Sequence, residues 1–156
     1  MKTLTILFFI FSNQLFSQDL FSQRIRKIST RKKAIFFDSG IFHNGSDKRP
    51  SVLKAMRHSY SAKNGYERVV FDFEGSKVPR IYGNIASKSK KIFIDFFDTS
   101  LNSKINSFGK SKLINGIRLF PLSEESLSVE IDLKNNSSAD IFYLEKPGRL
   151  VLDLKI

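Results

Sequence analysis

Four aspartates in this chain stand where aspartate is least suited. Asp72, Asp95, Asp132 and Asp153 lie in "VFDFE", "FIDFF", "EIDLK" and "VLDLK", each between apolar neighbours in a run that otherwise favours a β-strand, whose interior disfavours Asp. Bases recur at matching intervals. Arg57, Asp72 and Asp95 are spaced by 15 and 23 residues, and Arg118, Asp132 and Asp153 by 14 and 21. Two kinds of chemistry suit such a set. Acid and guanidinium on neighbouring strands pair with each other, contributing roughly 0.2–1 kcal/mol per pair and helping to fix register. Arginines beside tyrosines also suit sugars and peptide carboxylates, because aromatic rings meet CH faces and guanidinium forks grip carboxylates. The four acids are assigned to the first role. Arg57, Tyr60, Tyr66, Arg68, Tyr82, Arg118, Tyr143 and Arg149 are the candidates for the second. Arg57 and Arg118 lead that set because they occupy equivalent places in the two intervals.

Other chemistry finds little support. The chain has no Cys, which removes disulfides, thiol nucleophiles and thiolate metal sites. His43 and His58 are the two histidines, and neither has a partner at metal-ligand spacing. "IFFDSG" places an Asp after an apolar run but lacks the second Asp and the Thr of a phosphatase loop. No G-x-S-x-G, phosphate loop or dinucleotide fingerprint occurs, and Glu124-Glu125 falls in a turn. The expectation is a protein with no catalytic constellation, no metal and no cofactor.

The elements that must hold these residues are strands. "VLKAMRHSYS", "RVVFDFE", "VPRIYGNI", "KKIFIDFF", "NGIRLFPL", "LSVEIDLK", "DIFYLE" and "RLVLDLKI" are short β-like runs separated by Gly, Asn, Ser, Lys and Pro breaks, the signature of an all-β domain. A single phase fits the Asp-bearing runs. Val69, Phe71 and Phe73 face one way, as do Ile92, Ile94 and Phe96, then Val129, Ile131 and Leu133, then Leu150, Leu152, Leu154 and Ile156. The aspartates take the opposite, outer face. The matching intervals make two similar halves of about four strands each. The simplest assembly has each half forming one sheet, with the two apolar faces packed into a β-sandwich.

The N-terminus reads differently. Lys2, the apolar "LTILFFIF" and the polar "SNQLFSQ" have the form of a secretory signal peptide over residues 1–17. The apolar run is too short for a spanning helix, so the mature chain is expected to be exported without a transmembrane span. Residues 18–63 carry 11 Lys/Arg against 3 Asp/Glu, a net +8 of the chain's +11. Residues 18–51 are therefore read as a basic arm with a possible edge strand. Such an arm suits anionic polymers of a cell envelope, and export argues against nucleic acid as its partner. The folded domain is expected to span residues 52–156.

Within that span, "RHSYSAKNGYERVVFDFEG" with "PRIYGNI", and "NGIRLF" with "YLEKPGRLVLDLKI", resemble the AMIN domain and its AMIN-like relatives. The departure is "KKIFIDFF", where Lys90-Lys91 replaces the family's Pro-Arg lead. The resemblance implies a non-catalytic β-sandwich of two similar halves in a bacterial periplasm or envelope. It implies a role in holding a protein on peptidoglycan or a wall-associated protein, or, as the alternative, an adaptor role in a secretion, pilus or division assembly. With the last motif at the end of the sequence, the domain is expected to act alone or through a separate partner.

Overall fold

The computed structural model describes residues 24–102, 105, 109–123 and 125–156; the expected signal peptide lies outside them. Three short strands come first: β1 (Ile25–Lys27), β2 (Ile35–Phe37) and β3 (Gly40–His43). Four follow in the first half, β4 (Ser51–Ser61), β5 (Tyr66–Phe73), β6 (Ile81–Ala86) and β7 (Lys91–Phe97). After the short β8 (Thr99–Leu101) come β9 (Ile114–Ser123), β10 (Ser126–Leu133), β11 (Ser138–Leu144) and β12 (Arg149–Lys155). They form two six-stranded sheets, the first ordered β1-β3-β6-β7-β10-β9 and the second β2-β11-β12-β5-β4-β8. The fold is an all-β sandwich.

Period-two alternation decides which residues meet between the sheets. β5 and β10 both alternate half-buried and buried along eight residues, as a strand with one face in the core must. Val69, Phe71, Ile92, Ile94, Phe96, Val129, Ile131, Leu150, Leu152 and Leu154 are completely buried. Phe71 of the second sheet meets Phe96 of the first at 5.3 Å between ring centroids, and Phe73 meets the same ring edge-on at 5.0 Å. Ile156 departs from the expected phase: it lies past the end of β12 and is exposed.

The two halves do not form one sheet each. Hairpin β4–β5 of the first half joins hairpin β11–β12 of the second, while β6–β7 joins β9–β10. Each half thus crosses from sheet to sheet, the first through residues 74–80, where Val78 is buried against the core. Replacing each strand of β6-β7-β10-β9 by its counterpart in the other half gives β11-β12-β5-β4, the order of the second sheet. The halves are therefore related by an internal pseudo-two-fold. Its central antiparallel pairs, β7–β10 and β5–β12, are equivalent: Lys91 stands opposite Asp132 as Arg149 stands opposite Asp72.

The sandwich also starts before residue 52. β1 and β3 extend the first sheet, and β2 pairs with β11 in the second, so the described part of the basic arm is built into the domain. The physical reason is apolar burial: Ile28, Phe37 and Phe42 are completely buried, and each such side chain stabilises the fold by about 1.5–3 kcal/mol. Phe42 packs on Phe37 at 5.6 Å and is seated over Gly83, where any Cβ would lie 2.2 Å from its ring. Among the described residues Arg24, Lys27, Arg31, Lys33 and Lys48 of the arm are exposed, and Arg26 stacks 3.9 Å over the Phe37 ring.

Candidate functional site: the outer faces of the two sheets

Because inward positions are taken by apolar residues, the alternate positions of β4, β5, β12 and β11 share the outer face of the second sheet. Arg57 stands opposite Val70, Asp72 opposite Arg149, Arg68 opposite Asp153, and Leu144 beside Arg149. Two fork-to-fork pairs tie this face together. Arg57 donates from Nε and Nη2 to Asp72 at 2.6 and 2.7 Å, and Arg68 does the same to Asp153 at 2.6 Å for each bond. The hydrogen-bonded carboxylate is the main cause that raises each guanidinium's pKa above its ordinary value. Arg68 also lies over Tyr66 and Phe142, at 5.1 and 5.8 Å to the ring centroids. Beneath it Phe142, Val151 and Asp153 are buried although they point outward.

Arg149 is different. Among the described residues no carboxylate pairs with it, and its Nε is buried without a hydrogen-bond partner. An unmet buried donor costs on the order of 1–3 kcal/mol. Its position is fixed from the chain behind it: Gly148 donates to Gly75 O at 3.0 Å and accepts from the Phe73 amide at 2.9 Å. There is no room for a side chain at residue 148, where a Cβ would lie 2.2 Å from Lys77 O. Arg57, Arg68 and Arg149 border a concavity of about 330 Å³, completed by His58 and Ser59 and by the apolar Val70, Val151 and Leu144.

The equivalent face of the first sheet is closed. Arg118 stands opposite Glu130, and Asp132 opposite Lys91. Arg118 Nη2 reaches Glu130 Oε1 at 2.7 Å and Asp132 Oδ2 at 2.9 Å. Lys91 Nζ donates to Glu130 and lies 3.4 Å from Asp132 Oδ1. Hydrogen bonding from Lys91, then from Arg118, holds the Glu130 carboxyl below its ordinary 4.5. Asp95, the equivalent of Asp153, has no cation partner among the described residues, because Ser128 takes the place that Arg68 holds on the other sheet.

The eight sequence candidates therefore separate. Arg57, Arg68, Arg149 and Tyr66 come together on the second sheet. Arg118 and Tyr82 lie on the first, where Tyr82 shares a hollow of about 300 Å³ with His43, Arg80 and Phe97. Tyr60 and Tyr143 point to the inner side: Tyr60 pairs with the inward Glu67 and has Lys112 Nζ 4.0 Å over its ring, and Tyr143 packs on the core opposite Leu150. Of the four acids, Asp72, Asp132 and Asp153 hold cations on neighbouring strands.

Two further residues matter that the composition of the motifs did not single out. Val70 is equivalent to Glu130, a difference visible when the two Asp runs are aligned as "RVVFDF" and "SVEIDL". Glu67 is completely buried at the end of the sandwich. Its Oε2 accepts from the amides of Lys112 and Leu113 at 3.2 and 2.8 Å, and Oε1 lies 3.7 Å from His58 Nε2. It anchors the segment that joins the two halves, and no sequence pattern announces it. Among the described residues no group of three His, Asp or Glu is placed to hold a metal ion, and no helix is long and apolar enough to cross a membrane. No family model matches the chain, and no curated protein matches it.

Proposed function

We propose that the protein is a non-catalytic binding module of a bacterial cell envelope, exported by its N-terminal segment, and that it holds peptidoglycan on the outer face of its second sheet. One observation carries the reading: Arg57, Arg68 and Arg149 border a concavity that also presents Val70, Val151 and Leu144, with two of the three locked in place by aspartates. Held guanidiniums over apolar surface suit ligands that combine carboxylates with CH-rich sugar and peptide groups. Presentation on strands rather than loops keeps the geometry fixed. The likeness of "GYERVVFDFEG" and "KPGRLVLDL" to AMIN-type motifs agrees with this role. The remaining basic residues of the N-terminal segment add long-range attraction to anionic polymers.

Co-sedimentation of the purified protein with peptidoglycan sacculi tests this. Pelleting that persists at high salt is expected from a shaped site. Complete release by salt would assign the binding to diffuse charge instead, and failure to pellet at low salt would contradict the reading.

A second reading, an adaptor docking a protein partner of an envelope assembly, has its own observation. The outer face of the first sheet exposes Tyr82, Phe93 and Phe120, aromatic side chains of the kind that anchor protein interfaces. Retention of binding to an envelope protein after sacculus binding is lost would favour it.

A further inference from the structure

We propose that the concavity beside Arg149 is a site for one monocarboxylate carried on a small aliphatic group, such as the end of a short peptide. The internal symmetry of the molecule supplies the argument. On the first sheet, the carboxylate of Glu130 lies between Arg118 and Lys91 and hydrogen-bonds both. Arg57 and Arg149 are the equivalents of those two cations, and Val70 is the equivalent of Glu130. The second sheet thus keeps the cations of a carboxylate site and lacks the carboxylate. A ligand carboxylate above Val70 takes the place that Glu130 fills in the other half.

Charge and shape agree. Around Val70, Arg57, Arg68 and Arg149 face Asp72 and Asp153, three cations against two anions, and farther along β12 Lys155 is matched by Asp140. Around Glu130, Lys91 and Arg118 face Asp95, Glu130 and Asp132, two against three. One unmatched positive charge calls for a monoanion rather than a phosphate dianion. Arg149 Nε has no hydrogen-bond partner among the described residues, and a carboxylate is one of the acceptors that a guanidinium fork matches with two parallel bonds. The lining of Val70, Val151 and Leu144 within about 330 Å³ favours a methyl-sized or slightly larger aliphatic group next to the carboxylate. This assignment rests on the wall-binding reading only for the source of the ligand, a peptide carboxylate of peptidoglycan.

The test is an amide-resolved NMR titration of the purified protein with acetyl-alanine, in both chiral forms, with acetyl-alaninamide and with inorganic phosphate. Saturable shifts confined to residues near Arg57, Val70 and Arg149 are expected with one or both forms of acetyl-alanine. Binding at least tenfold weaker is expected for the amide and for phosphate. Val70→Glu supplies the missing carboxylate internally and is expected to weaken acetyl-alanine at least tenfold with the rest of the spectrum unchanged. Arg149→Gln serves the same purpose should Val70→Glu not fold. Equal response to acid and amide, phosphate binding as tightly as acetyl-alanine, or unaltered affinity in the folded variant would each overturn the proposal. Acetyl-alanine binding without sacculus binding would keep this site and remove the wall reading; sacculus binding without acetyl-alanine binding would do the reverse.

Discussion

The two outer faces of this sandwich begin from the same arrangement and end with opposite local charge around Val70 and Glu130. Each has a basic residue on the edge of a hairpin, Arg57 or Arg118, and a second at the start of the neighbouring half's last strand, Arg149 or Lys91. Each has an aspartate, Asp72 or Asp132, opposite that second base. Two exchanges separate them. Glu130 on the first sheet corresponds to Val70 on the second, and Ser128 corresponds to Arg68. The first exchange closes one face into a network of two cations around Glu130 and Asp132. The second, with the absence of the first, leaves the other face one guanidinium in excess. Duplication alone does not make a site; the departure from it does.

This comparison presumes a common core that includes the N-terminal strands, and the largest predicted effect tests that. Phe42→Ala is expected to destabilise the protein by about 3–5 kcal/mol, read from urea unfolding, because it empties the seat over Gly83. A loss under 1 kcal/mol would mean that β3 is not part of the cooperative unit. Next comes the residue behind each second base. Gly148→Ala should cost about 1–3 kcal/mol by overpacking against Lys77 O. Its counterpart Lys90 adopts a left-handed conformation at φ 54°, so Lys90→Gly should stabilise by about 1 kcal/mol. Opposite signs at equivalent positions would show that the repeat anchors its two bases differently.

Acid sensitivity should also separate the faces. Glu130 has a lowered pKa in the folded protein, so its contribution is complete above its ordinary value of 4.5 and is lost as pH falls through the lower folded value. The stability gap between the wild type and Glu130→Gln should therefore narrow as pH drops below about 4. A gap unchanged by pH would mean that the Lys91–Glu130–Arg118 network contributes nothing in solution. The smallest effect is expected for Arg57 with Asp72. Arg57 is more than half exposed, and a double-mutant cycle on the pair should give about 0.2–1 kcal/mol.

Much of the fold was legible because alternation is a direct consequence of strand geometry. All eight expected runs became strands, and the inward set of Val69, Phe71, Ile92, Ile94, Val129, Ile131, Leu150 and Leu152 is buried. What alternation does not encode is pairing. Nothing in the spacing of Asp72 and Asp132 distinguishes a half that forms one sheet from a half that divides between two; the crossing at residues 74–80 decides it. The basic segment misled for a related reason. Its charges dominate the composition, while three apolar side chains, Ile28, Phe37 and Phe42, decide its place. The candidate site was legible in its residue types and partly in its positions. Arg57, Arg68 and Arg149 converge, whereas Tyr60, on the strand of Arg57, and Tyr143, on the neighbouring β11, face the other way. Val70 carried no signal of its own, since an apolar residue in a strand reads as packing until its counterpart is seen to be Glu130.

The central claim is that the second sheet binds the wall because Val70 leaves a carboxylate site vacant that Glu130 fills on the first. The most direct measurement is sacculus co-sedimentation at high salt for the wild type, Val70→Glu and Glu130→Val, each confirmed as folded. The account predicts that Val70→Glu stays largely in the supernatant, while Glu130→Val pellets at least as well as the wild type. Val70→Glu pelleting as fully as the wild type would contradict it.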